Sequence, residues 1–248
     1  MAEKVRRVLL PAAFWLAVWW LCALLVGKEL ILPSPWAVCQ ALAKHVGEGS
    51  FWHALTGSLG RVWAGFLAGT VLGTFLAWVT VRWRWGETLL SPALRAVRTV
   101  PVVSFILMLY FALPTGQIPV AVSALMVLPV AWRSARQGME AANPGLLELA
   151  DHYRLGPWRT LRTVRLPAAL PALSAGWETA LGLAWKSGVA AEVLCQPKWA
   201  AGSGLQAAKA TLDTAGVAAW TVAIVAISLA MEGILKICLR RWRGGVEG

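Results

Sequence analysis

Arg61-Val-Trp-Ala-Gly65-Phe-Leu-Ala-Gly69-Thr-Val-Leu-Gly73-Thr-Phe-Leu-Ala77-Trp-Val-Thr-Val81-Arg82 holds twenty uncharged residues between two arginines. Twenty residues of helix rise about 30 Å, the thickness of a bilayer's hydrocarbon core. Gly65, Gly69, Gly73 and Ala77 recur at every fourth position and so share one helix face. A smooth face of that kind lets a neighbouring backbone come close, which is how membrane helices associate. The stretch therefore predicts a membrane-spanning helix packed inside a bundle.

The rest of the chain fits this reading. Of 248 residues, 58% are hydrophobic and 14% charged, and the mean hydropathy is +0.62. Soluble domains are near 45–50% apolar and about 25% charged. The composition argues against a soluble enzyme, a disordered chain and a secreted disulfide scaffold. Cys22, Cys39, Cys195 and Cys238 are scattered, with neither metal nor redox spacing. Other uncharged runs mark further helices. The expected fold is all-α and polytopic, one membrane domain over 1–248. About six spans are expected, near 8–27, 57–81, 89–113, 118–135, 168–194 and 214–236. Leu32-Pro33-Ser34-Pro35 reads as a turn before an interfacial helix, and Pro101, Pro119 and Pro129 favour bent or broken helices. Ala172, Gly176, Ala180, Ala184 and Gly188 repeat the small-residue spacing in the fifth span.

Charge sets the expected orientation. The chain carries 23 Lys and Arg against 12 Asp and Glu. A net charge of +11 on a soluble protein would suggest nucleic acid. In a membrane protein the cations gather in cytoplasmic loops instead, so no nucleic-acid partner is expected. With six spans and the N-terminus inside, segments 1–7, 82–98, 133–165 and 236–248 hold seventeen Lys and Arg. Lys28, Lys44, Lys198 and Lys209 lie outside, Arg61 sits at a helix end and Lys186 falls within a span. Both termini are expected in the cytoplasm.

The inside loop 136–166 is the informative one. Asn143-Pro144 precedes a short helical pattern, and Gly156-Pro157 follows it. Asparagine caps a helix and proline suits its first turn. Leu146, Leu149 and Ala150 share a face by the i, i+3, i+4 rule, with Leu147 and Glu148 between them. A positive-inside loop needs arginines; it does not need a capped helix. The whole stretch, from Glu140-Ala-Ala-Asn143 through Trp158 to Leu166-Pro167 and Pro171, resembles the EAA loop of ABC-importer permeases, the binding-protein-dependent inner-membrane components. Leu32-Pro-Ser-Pro35, Pro92 with Arg98-Thr-Val-Pro101, and Gly182-Leu-Ala-Trp185 with Val189-Ala-Ala-Glu192 are similar to the nitrate/sulfonate/taurine branch. Counted back from Trp158 and Leu166-Pro167, the family glutamate falls on Glu148 and its alanines on Leu149 and Ala150. The family glycine falls on Arg154, and a glycine stands only at Gly156. The literal Glu140-Ala141-Ala142 lies eight residues too early.

The resemblance implies a permease subunit of an ATP-driven importer in a prokaryotic inner membrane. It implies a second permease copy, forming a homodimer, two cytoplasmic ATPase subunits docked on the loop, and an extracytoplasmic solute-binding protein. The solute would be a sulfonate, taurine, nitrate or vitamin precursor. Catalytic residues are not expected here: the chain lacks a Walker-type phosphate loop and a nucleophile–base set. No metal or cofactor is expected in this chain, with ATP and magnesium left to the partner ATPase. His45, His53 and His152 are scattered and read as interfacial polar residues. Glu178, Lys186 and Glu192 are charges within the fifth span, where ionisable groups face a cavity or a partner. Two readings stay open: Lys186 faces the translocation path, or it pairs with Glu178, Glu192 or Glu232. Glu192 lies near the outer end, where water would reach it. The alternative to an importer subunit is an ion-coupled transporter or channel working alone, which inverted repeats would favour.

Overall fold

The computed structural model describes the backbone of residues 2–244 and the side chains of 10–83 and 85–240. The side chains of Lys4, Arg6, Arg7, Arg84, Arg241 and Arg243, which contribute to the inside charge count, lie outside the described residues. The described chain is helical: α1 (Ala2–Val26), α2 (Pro35–Val46), α3 (Gly49–Arg82), α4 (Arg84–Thr99), α5 (Val102–Tyr110), α6 (Ile118–Glu140), α7 (Pro144–His152), α8 (Pro157–Thr160), α9 (Leu166–Cys195), α10 (Ala201–Ala210) and α11 (Thr214–Gly244). Among the described residues, α3, α6 and α11 are long and apolar enough to cross a membrane alone, and the bent pair α4 and α5 makes a fourth candidate. Six is the number the sequence predicts, with α1 and the 30-residue α9 as the others.

The core is α6 held between α3 and α9. Glycine makes this possible. A Cβ at Gly65 would lie 2.6 Å from Ser123 Cβ, one at Gly69 2.7 Å from Val127 Cβ, and one at Gly73 2.8 Å from Ala131 Cβ. No real side chain fits those gaps. On the other side of α6, Gly176 abuts Ser134, and a Cβ at Gly188 would come 2.6 Å from Ser123 Oγ. Both small-residue stripes thus meet the same helix. Hydrogen bonds add to the contact: Ser123 Oγ donates to the Ala184 carbonyl at 3.0 Å, and Trp132 Nε1 donates to Thr80 Oγ1 at 3.2 Å. Such bonds have no water to compete with them in the bilayer. Val62, Phe66, Val127, Leu181 and Trp185 fill the middle of the bundle. Phe14, Trp15, Leu21, Leu24 and Leu25 of α1 remain exposed, as suits a lipid-facing helix.

Several elements differ from the expected outline. A single helix over 89–113 does not form. The chain breaks between α4 and α5 with a bend of 97°. Pro101 causes the break: it has no N–H to donate, and it holds Val100 in extended geometry at ψ 131°. α4 is then an amphipathic helix with Leu94 buried and Arg95 and Arg98 exposed. Its Glu87 is tied to α6 by Arg136, whose Nη2 donates to Glu87 at 2.6 Å and whose Nε donates to Glu140 at 2.8 Å.

The fifth expected span, 168–194, forms as α9, and further helical backbone precedes it. Helical backbone begins at Pro157 and passes through a π turn, Leu161–Arg165, into α9. The Leu166 N–H bonds five residues back to the Leu161 carbonyl. That wider turn immediately before Pro167 relieves the clash a proline ring makes with the carbonyl one turn earlier. The 196–213 segment folds in part into α10, an element the sequence pattern does not suggest. α6 runs on to Glu140, so the connecting loop is shorter than 136–166.

The glycine contacts make a sharp prediction. Gly69→Ala is expected to lower the yield of folded protein and its thermal midpoint in detergent, and Gly69→Leu to cost a few kcal/mol more, the range for overpacked cores. Gly60→Ala on the same helix, where a Cβ meets nothing within 4 Å, is expected to be neutral. Equal melting of all three variants would show that α3 and α6 do not meet through this face.

Candidate functional site

The α6–α9 connection carries α7, a helix built from local signals. Asn143 Oδ1 accepts from the Gly145 N–H at 2.9 Å, and Pro144 occupies the first turn. At the other end the chain closes in a Schellman turn. The Arg154 N–H donates to the Asp151 carbonyl at 2.9 Å and the Leu155 N–H to the Ala150 carbonyl at 2.8 Å. This turn requires a left-handed residue, and Arg154 supplies it at φ 50°. Glycine is the usual occupant, because a left-handed L-residue costs about 1–2 kcal/mol. Arg154 stands where the permease pattern has its glycine, so the residue differs and the turn is kept. Gly156 lies beyond the turn and begins α8.

A polar groove of about 560 Å³ separates α7 from the end of α3. Arg82 and Arg165 line it with Glu148 and Asp151, and Trp78, Leu147 and Ala150 supply apolar wall. Trp78 of α3 packs edge-on against Trp158 of α8 at 6.2 Å between ring centres. Ala150 is 3% exposed and turned into the protein. It does not share an outward face with Leu146 and Leu149, as expected from spacing. The face that α7 presents outward carries Leu146 and Leu149, half-exposed, and Tyr153 beyond them at 70%. Periodicity identifies which residues share a face; it does not tell which face the protein covers.

The two glutamates of α9 find partners other than Lys186. Glu192 is fully buried at 0% exposure, not open to water. Its Oε1 accepts from Arg61 Nε at 2.9 Å, and its Oε2 accepts from Ser58 Oγ at 2.6 Å and the Gly202 N–H at 3.2 Å. Arg61 Nη2 also donates to the Trp199 carbonyl at 2.6 Å, and Ser58 Oγ accepts from the Ala201 N–H at 2.8 Å. One carboxylate thereby joins α3, α9 and the start of α10. A buried charge is tolerated when it is paired and fully hydrogen-bonded, as here. Glu178 pairs with Lys236 of α11, Oε2 to Nζ 3.9 Å. Lys186 is exposed and forms none of the expected pairs with Glu178, Glu192 or Glu232. The Arg61–Glu192 pair was missed because Arg61 reads as a helix-end charge. The common depth of Arg61 and Glu192, at facing ends of the second and fifth spans, was the available signal.

No group of three or more His, Cys, Asp or Glu capable of holding a metal occurs among the described residues. His45 lies against Phe51 and Trp220, and His53 against Trp199.

The family model described as binding-protein-dependent transport system inner membrane component matches residues 69–244. The chain belongs to this family. It is 33% identical over 204 residues to the putative aliphatic sulfonates transport permease protein SsuC of Escherichia coli (strain K12), covering 78% of this chain and 77% of that one. It is 27% identical to the taurine transport system permease protein TauC of the same organism, over the whole of this chain and 93% of the relative. Among solved structures, a bacterial ABC transporter involved in import of the polysaccharide alginate shares the fold at TM-score 0.68 and 14% identity, with 96% of each chain covered. The MetNI methionine ABC transporter in inward-facing conformations does so at TM-score 0.60 and 16% identity, covering 77% of this chain and 93% of that one. This chain is a multi-pass inner-membrane permease subunit of an ABC importer. The segment 143–156 lies within the matched region, as do α6 and α9.

The left-handed Arg154 is directly testable. Arg154→Gly is expected to stabilise the α7 turn by about 1 kcal/mol. That corresponds to roughly fivefold slower hydrogen exchange at the Arg154 and Leu155 amides. Arg154→Val is expected to accelerate the same exchange. No change in either variant would mean that the turn does not close in this way.

Proposed function

We propose that two copies of this permease line one translocation path, with a cytoplasmic ATPase docked on each α7 and a solute-binding protein delivering substrate from outside. Both termini and α7 then lie in the cytoplasm, where seventeen of the 23 Lys and Arg collect. ATP and magnesium are bound by the ATPase, and this chain contributes no catalytic group. The transported solute is a small sulfonate- or taurine-like molecule, the class named for the relatives SsuC and TauC.

The observation that carries this reading is the outward face of α7. A nine-residue helix, capped at both ends, projects from the α6–α9 connection with Leu146, Leu149 and Tyr153 exposed. A solvated loop has no need of such rigidity or of an apolar face. Joined directly to α6 and to the helical run into α9, α7 transmits a push on its surface to the bundle core.

Leu149→Asp is expected to abolish co-purification of the ATPase and the stimulation of ATP hydrolysis by loaded binding protein. The permease is expected to stay folded, because Leu149 leaves the bundle untouched. An aspartate at Ala150 enters the groove instead, so Ala150→Asp is expected to lower permease stability as well. Wild-type ATPase association in Leu149→Asp would place the contact elsewhere.

A further inference from the structure

Among the described residues, Lys186 is the charge in α9 that forms no ion pair. Glu192 is enclosed by Arg61, Ser58 and Gly202, and Glu178 is 3.9 Å from Lys236. The Glu232 carboxylate sits beside Gly182, one turn before Lys186, and does not form an ion pair with it. Lys186 lies twenty residues from the start of α9 and nine from its end. At about 1.5 Å per residue it is some 14 Å in from the outer end, within the depth of the hydrocarbon core.

The direction it faces is equally defined. Ala180, Ala184, Ser187, Gly188 and Ala191 turn inward and are buried. Thr179, Leu183, Lys186 and Ala190 follow the opposite, exposed face. An ammonium at this depth against lipid is strongly disfavoured, so the face borders water or another protein surface. If two copies form the path, their two-fold axis brings two such faces together. Two ammoniums flanking one path repel each other and are relieved by a negative charge between them.

We propose that Lys186 is a cationic subsite on the water-filled face of the translocation path, where it attracts a small anion bearing a sulfonate or similar acidic group. This rests on the two-copy reading above and narrows it to anionic solutes. As part of the permease, the subsite acts on the solute after the binding protein releases it. It lowers the electrostatic cost of passing an anion through a low-dielectric region.

The test uses membrane vesicles holding the complete complex, with Cys22, Cys39, Cys195 and Cys238 replaced by alanine. Leu183→Cys and Ala190→Cys are labelled separately with two thiosulfonate reagents of similar size, one bearing a sulfonate and one a trimethylammonium. With each rate divided by that reagent's rate toward a free thiol in water, the sulfonate reagent is expected to be favoured, and Lys186→Gln is expected to cut that preference about tenfold. Lys186→Arg is expected to keep it. Equal rates with and without Lys186, or no reaction from either side, would overturn the subsite. Loss of the assembled complex in Lys186→Gln with recovery in Lys186→Gln/Glu232→Gln would also overturn it, by making Lys186 a structural partner of Glu232. Bound ATPase is quantified in the same vesicles. Absence of ATPase from the unmutated complex would contradict the importer assembly, whereas failed labelling with ATPase present contradicts the subsite alone.

Discussion

Everything in this structure depends on how closely α6 approaches α3 and α9. In a bilayer, apolar side chains gain nothing by leaving lipid for one another, so helix association rests on tight packing and interhelical hydrogen bonds. Here Gly65, Gly69 and Gly73 bring α3 against one side of α6, while Gly176 and Gly188 bring α9 against another. The three helices therefore move as one body. The same body carries α7, because α6 ends at Glu140 and the backbone after α7 is helical from Pro157 into α9. Arg136 extends the connection to α4 through Glu87. Near the other end, Glu192 joins α3, α9 and α10 through Arg61, Ser58 and Gly202. A displacement at α7 thus has a continuous path of close contacts to the far side of the bundle.

Features set by local chemistry were legible in the sequence. The glycine stripes follow from spacing, and the α7 start follows from Asn143 and Pro144. Features set by distant partners were not. Ser58 and Arg61 each lie more than 130 positions from Glu192 in the chain, and nothing near Glu192 announces its partner. The inward turn of Ala150 depends on where α3 ends, which periodicity does not contain. Pro101 marked a break but not a 97° bend. Arg154 is the reverse case. Its residue type argues against a left-handed turn, and the hydrogen bonds from Arg154 and Leu155 hold it in one. Backbone geometry at that position is kept while the glycine is not.

The two ends of the bundle use charge in different ways. At the Glu192 end a carboxylate is buried and saturated with donors, which fixes α10 in place. At the α7 end, Arg82, Arg165, Glu148 and Asp151 line an open groove. Charges held in water cost little to rearrange, whereas a buried and fully paired one resists movement. The bundle is thus stiffer at the Glu192 end than at the α7 end.

Family membership makes this chain a permease subunit of an ABC importer, and uptake into reconstituted vesicles tests the assembly proposed for it most directly. The permease is reconstituted with its ATPase, ATP is enclosed with the ATPase face, and labelled taurine is supplied with the binding protein on the other side. The account predicts accumulation only when ATP, ATPase and binding protein are all present. Accumulation driven by an ion gradient in vesicles holding the permease alone would contradict it.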